Sequence, residues 1–154
     1  MDWLSGDNSA PEDAGSYPEF YETVDTVIMG FHTYHQIVTE LEPNKWPYQG
    51  KQTYVITHRD EAEQQGISFY HGNLSDLLAS LKKQGGKEIW ICGGAQIAQQ
   101  LIMADQIDEF CISIIPTILG SGIKLFPDLS SQKQLKLLKT KSYNGIVDLV
   151  YTLR

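Results

Sequence analysis

Strand-like runs alternate with helical patterns along most of this chain, and that alternation constrains the fold more than any other feature. Val24 to Met29 is a compact strand candidate closed by Gly30. Helical spacing follows in Thr33 to Leu41, with Tyr34, Ile37, Val38 and Leu41 on one face. Gln52 to Thr57 and Ile67 to Tyr70 are the next strands. Asn73-Leu74-Ser75 then opens a helix, Asp76 to Lys83, whose apolar stripe is Leu74, Leu77, Leu78 and Leu81. Gly85-Gly86 stops it. Lys87 to Cys92 is a strand, Gly93-Gly94 turns it into the helix Ala95 to Met103, and Ile107 to Ile115 is a longer strand. Leu135 to Lys141 and Ile146 to Leu153 flank Tyr143-Asn144-Gly145, and Asn-Gly between two such runs is a strong hairpin signal. The order predicts an α/β domain with a mostly parallel sheet and an antiparallel end.

Composition narrows the function. With 154 residues, 42% of them apolar, the chain is expected to form one domain with its own core. Twelve basic against nineteen acidic residues give a net charge of −7, which argues against a groove for a nucleic-acid backbone. No apolar run approaches the roughly 20 residues of a membrane span, and Met1 to Asp7 has no signal-peptide pattern. A cytoplasmic location is the expectation. Cys92 and Cys111 lie in apolar runs and read as buried thiols. The four histidines show no ligand spacing, so no metal site is expected.

Parallel strands joined by right-handed crossovers present their C-terminal ends on one edge, where ligands of open α/β sheets bind. Three strands here end in Met29-Gly30-Phe31-His32-Thr33, Thr57-His58-Arg59 and Cys92-Gly93-Gly94-Ala95-Gln96. The first and third open helices, whose free N–H groups attract phosphate, and glycine lets the backbone approach it. The second offers a hydroxyl, an imidazole and a guanidinium suited to a phosphate monoester. Taken singly, Gly93-Gly94 is an ordinary turn, Thr57-His58-Arg59 a solvated loop and Thr33 an N-cap. Together they predict a dinucleotide carrying an extra phosphate, with Gly30, His32, Thr33, Thr57, His58, Arg59, Gly93, Gly94, Ala95 and Gln96 as its binding set.

On these motifs the chain resembles the dihydrofolate reductase superfamily. Trp3-Leu4, the segment Val27 to Tyr34, Val55-Ile56-Thr57-His58 and Ile91 to Ile97 are similar to that family's tryptophan-bearing loop, its MGRxTW segment, its Leu-Ser-Arg strand end and its Ile-Gly-Gly turn. Pro116 to Phe126 is similar to the reductase domain of bacterial riboflavin-pathway deaminase–reductases. The resemblance implies a three-layer α/β/α fold with a mostly parallel mixed sheet ending in an antiparallel C-terminal hairpin. It also implies NADPH as cofactor, hydride transfer to a pyrimidine- or pteridine-like small molecule, and a homodimer paired through strands that include Tyr143, Val147, Val150 and Tyr151. Asp7, at the spacing of the family's substrate-binding acid, is the candidate proton relay, or else a water-facing loop residue. Trp3 is the candidate substrate wall, or else packs under its loop. The alternative is a catalytically silent dimeric nucleotide-binding module.

Two departures stand out. Phe31 occupies the position where the family often has an arginine for the 2′-phosphate, leaving His32, His58 and Arg59 to supply the charge. The family also begins with a central strand ending in a Ser-Leu-Asp-Gly-like motif, and this sequence starts after it. The strands Lys87 to Cys92 and Ile107 to Ile115 are therefore expected to face a gap, filled by residues upstream of Met1, or else by a partner chain or a rearranged sheet.

Overall fold

In a computed structural model describing residues 2–126, 129 and 131–154, the helices and strands follow the order the pattern predicts. A 3-10 turn at Asp2–Ser5 precedes α1 (Tyr17–Thr23), β1 (Val24–Gly30) and α2 (Phe31–Gln36). Then come β2 (Gln52–Ile56), β3 (Ile67–Tyr70), α3 (Leu74–Gln84), β4 (Glu88–Gly93), α4 (Ala95–Met103) and β5 (Glu109–Ile114). The hairpin strands β6 (Leu135–Tyr143) and β7 (Ile146–Leu153) complete the chain. The strands divide between two sheets, a parallel one ordered β3-β2-β1-β4 and an antiparallel one ordered β5-β7-β6. The chain correspondingly forms two compact units, one built on Glu22–Gln106 and the other on the segment up to Tyr21 with Ile107–Lys124 and Leu129–Arg154.

In the first unit β1 is the organising strand. It pairs in parallel with β2 on one side and β4 on the other, and Val24, Val27, Ile28 and Met29 are fully buried. Burial of consecutive residues requires cover on both faces of the sheet, as crossover helices provide. Leu101, Ile97 and Ile102 of α4 and Leu74, Leu77, Leu78 and Leu81 of α3 supply buried faces. Asn73 caps α3, its side chain accepting from the N–H groups of Ser75 at 2.8 Å and Asp76 at 3.2 Å.

The helix after β1 starts two residues earlier than its spacing suggests, because its N-cap is Gly30 and not Thr33. Its last turns, Ile37–Leu41, widen to a π-helix closed by a 2.8 Å bond from Glu42 N–H to the Ile37 carbonyl. That widening rotates Leu41 out to 45% exposure while Tyr34 and Ile37 stay buried.

The second unit is an antiparallel sheet with β7 at its centre. Asn144 (φ +45°) and Gly145 (φ +73°) form its tight turn, the left-handed pair that such a hairpin requires. The buried Asn144 side chain donates to the Ser5 carbonyl at 2.6 Å and accepts from Ala10 N–H at 3.1 Å, so the turn also holds the N-terminal loop. Asp148, buried on β7, accepts from the hydroxyls of Ser16 and Ser113. Cys111 is exposed on β5, contrary to its reading as a buried thiol, because β5 is an edge strand with much of its length open. Cys92 is half-buried, and that desolvation pushes its thiol pKa up. Among the described residues, strands β4 and β5 each have a single hydrogen-bonded neighbour, β1 and β7 respectively.

The Asn73 cap gives a direct check. Asn73→Ala removes the acceptor for two orphan amides and should destabilise the fold by about 1 kcal/mol, read as a lower urea midpoint at unchanged slope.

Candidate functional site

The pairing register fixes the position of the three strand ends. Gly30 sits opposite Ile56 across β1 and β2, and Met29 sits opposite Gly93 across β1 and β4. The three strands are parallel, so the segments that follow Gly30, Ile56 and Gly93 emerge side by side on one edge.

The β1–α2 and β4–α4 turns are in close contact there. A Cβ on Gly30 would lie 3.4 Å from Ile97 Cγ1 and 3.9 Å from Gly94 N, and one on Gly94 would lie 3.4 Å from the Thr33 hydroxyl. Gly93 has φ +130°, a conformation side chains disfavour, and the Gly93–Gly94 peptide is cis. Gly94 is the N-cap of α4 and provides no side-chain cap. Its carbonyl accepts from Ile97 and Ala98, and among the described residues nothing in the chain accepts from the N–H groups of Ala95 and Gln96. Two free amides at the positive end of a helix, beside glycine backbone and a hydroxyl, form a site for an anionic oxygen.

At the end of β2, Thr57 is buried. Its N–H donates to the Tyr70 carbonyl at 3.1 Å, and its hydroxyl accepts from Arg59 N–H at 3.0 Å. That bond turns the chain so that His58 and Arg59 stand exposed at the edge. The Arg59 guanidinium rests 4.5 Å from the centre of the Phe31 ring, joining this segment to the first turn of α2. His32 is exposed on that same turn. The sequence-level set of Gly30, His32, Thr33, Thr57, His58, Arg59, Gly93, Gly94, Ala95 and Gln96 therefore lies along one sheet edge.

Phe31 stands where the resemblance implies an arginine, and its ring carries the Arg59 guanidinium. Its partnership with Arg59 had no signal beyond the two strand ends being level, since 28 positions separate the residues. Beneath it runs an aromatic cluster. Phe31 packs on Tyr34 at 5.9 Å between centroids, Tyr34 on Trp46 at 5.8 Å and on Phe69 at 5.3 Å. Trp46 meets Tyr48 at 5.2 Å, and Tyr48 meets Trp90 at 5.4 Å. Tyr34 is buried in this cluster, and Trp46 and Trp90 are part-buried.

Asp7 belongs to the other unit. Its carboxylate accepts from Ser9 N–H at 2.9 Å, its own N–H donates to the Asn144 carbonyl at 3.0 Å, and it lies against Gly145 of the hairpin turn. Hydrogen bonds from Ser9 hold its carboxyl below the usual value, so it is an acceptor at neutral pH rather than an acid. Trp3 has its backbone in the Asp2–Ser5 turn, and its side chain lies outside the described residues. Among the described residues no cluster of three or more His, Cys, Asp or Glu side chains is arranged to hold a metal. No helix among them is long and apolar enough to cross a membrane.

A parallel sheet whose glycine-bearing strand ends converge on one edge, together with an antiparallel C-terminal hairpin, is the dihydrofolate reductase-like α/β fold. Within that class the chain belongs to the RibD C-terminal domain family, whose model matches residues 19–151. The Bacillus subtilis protein YwjB, uncharacterized, is 40% identical over 152 residues, covering 98% of this chain and 85% of its own length. A Shewanella sp. PV-4 protein named for riboflavin biosynthesis is 27% identical, and its crystal structure superposes with a TM-score of 0.82 over 100% of this chain and 88% of its own. Acinetobacter baumannii RibD shares the fold at 17% identity and a TM-score of 0.68, over 90% of this chain and 50% of RibD. The chain is thus a RibD C-terminal reductase-like domain.

The two glycines can be separated by experiment. Gly93→Ala forces a side chain into φ +130° and should cost about 1–3 kcal/mol in unfolding free energy. Gly94→Ala, at φ −79° with its Cβ in ordinary contact with Thr33, should change stability far less while filling the space beside the free amides. Denaturant midpoints of the two variants check the contrast.

Proposed function

We propose that this domain is an NADPH-dependent reductase acting on a pyrimidine- or pteridine-like heterocycle, of the kind that 5-amino-6-(5-phosphoribosylamino)uracil represents. The observation that carries the reading is the convergence of an uncapped α4 N-terminus, the Thr33 hydroxyl and an unpaired guanidinium on one sheet edge. These are donors suited to the three phosphates of a phosphorylated dinucleotide. Membership in the RibD C-terminal family supports the reaction class. The Thermotoga maritima relative of the same fold, 15% identical, carries the name of that deaminase and reductase.

When bound, NADPH supplies the hydride, and the protein orients the reactants and excludes water. The Ala95 and Gln96 amides hold a pyrophosphate oxygen against the dipole of α4, with Gly93 and Gly94 leaving room for it. Thr33 donates its hydroxyl proton to the same group. His58 and Arg59 take the ribose 2′-phosphate through charge-assisted hydrogen bonds, with His32 adding a third donor. For the substrate we assign Trp3 as an apolar wall and Asp7 as a hydrogen-bond acceptor for a ring N–H. An ionised carboxylate binds such a group well and can pass a proton from water, but it does not hold one in reserve. We also propose a homodimer. Strands β5 and β6 of the antiparallel sheet leave Ile114, Leu137 and Leu138 about half exposed, and Tyr143, Val147, Val150 and Tyr151 are only part-buried on the hairpin.

Titration of the purified protein should give NADPH binding tighter than NADH. Arg59→Ala should weaken NADPH by about 1.5–3 kcal/mol and leave NADH nearly unchanged, whereas equal losses would remove Arg59 as the phosphate reader. Turnover against a panel of pyrimidine and pteridine substrates tests the reaction, and cofactor binding without turnover of any would favour the silent binding module. Sedimentation at micromolar concentration should give twice the chain mass, and a monomer would remove the dimer.

A further inference from the structure

The Arg59 guanidinium lies over the face of the Phe31 ring, 4.5 Å from its centre. Among the described residues it makes no ion pair and no hydrogen bond, although Asp60, Glu61 and Glu63 follow it directly in the chain. Both ends of this contact are fixed from below. On one side the Thr57 hydroxyl holds Arg59 N–H at 3.0 Å, which sets where the side chain leaves the backbone. On the other, Phe31 leans on the buried Tyr34, whose hydroxyl accepts from Gln64 Nε2 at 2.9 Å and whose ring meets Phe69 edge-on. A long, flexible side chain is thereby held by an aromatic face while all five of its N–H donors remain open. A guanidinium held over a ring face meets the ring through its cation–π attraction and needs none of its N–H donors for that contact.

We propose that Phe31 is a positioning residue for cofactor specificity, holding Arg59 so that its fork presents to the phosphomonoester that distinguishes NADPH from NADH. The inference rests on the NADPH reading above and goes beyond it by assigning a role to Phe31. An arginine at position 31 would supply a second charge there. The phenyl ring supplies none, and instead reduces the freedom that Arg59 loses when it pairs with the phosphate. The contribution of Phe31 therefore appears only for a ligand that carries that phosphate.

The test is fluorescence titration of the full chain with NADPH and with NADH, for wild type, Phe31→Leu, Phe31→Tyr, Arg59→Ala and the double variant Phe31→Leu/Arg59→Ala. Phe31→Leu should weaken NADPH about fivefold, in the range a cation–π contact gives, and leave NADH within about twofold. Phe31→Tyr, which keeps the ring, should retain wild-type discrimination. In the double variant the Phe31 change should add nothing further, because Arg59 is the only group it acts through. A Phe31→Leu protein that loses NADPH and NADH equally would mean that the ring stacks on the adenine or merely supports the fold, and would overturn the inference while leaving NADPH use intact. Unchanged NADPH affinity in Phe31→Leu would overturn it in the same way. Wild-type protein that binds neither nucleotide would overturn the functional reading and this inference together.

Discussion

Strand β1 is paired in parallel on both sides, and Val24, Val27, Ile28 and Met29 have essentially no contact with water. Each such side chain contributes about 1.5–3 kcal/mol on burial, so this strand is where the parallel sheet gains most per residue. The consequence reaches the site through register. Side chains alternate faces along a strand, so a one-residue slip of β1 would turn its buried set toward the wrong layer. The core therefore locks Gly30 level with Ile56 and Met29 level with Gly93, and the three functional segments inherit that alignment. Site geometry here is a by-product of core packing several residues away.

The same logic explains which residues at the edge are fixed and which stay available. Thr57 is buried and spends its hydroxyl on Arg59 N–H, so it shapes the loop. Gly93 and Gly94 carry no side chain, and the amides behind them stay free because Gly94 cannot cap α4 as Asn73 caps α3. A serine or aspartate at position 94 would satisfy the helix and close the anion site in one step. Helix α4 thus forgoes about 1 kcal/mol of capping that α3 receives, a local cost common where donors must await a ligand.

Much of this was legible in the sequence because it depends on local rules. The Asn144-Gly145 turn, the Asn73 cap and the Ala95–Met103 helix follow from backbone preference, and the apolar runs mark the strands. What the sequence left hidden depends on tertiary pairing. The wider turn at Ile37–Leu41 leaves no trace in an apolar pattern that fits an α-helix, and so Leu41 is misplaced on the inner face. Cys111 sits in a run that looks buried, but its exposure is decided by whether β5 has one neighbour or two. The contact between Phe31 and Arg59 needed the register of β1 against β2, and the grip of Asn144 on Ser5 and Ala10 spans most of the chain.

The net charge of −7 sets a final constraint on any anionic ligand. Long-range attraction cannot bring a dinucleotide to an acidic protein, and the overall field opposes it. Affinity must then come from donors at contact distance, where screening is weak and geometry dominates. That makes preorganisation worth more here than added charge. Free helix amides are rigid already, held by the backbone of α4. An arginine on an exposed loop is not, and its rotamer freedom would consume much of the gain from one ion pair. Resting that arginine on a supported aromatic ring corrects the weakness without adding a cation. On this argument an aromatic residue at position 31 is a workable substitute for a basic one, provided a nearby loop supplies the guanidinium, as Thr57-His58-Arg59 does.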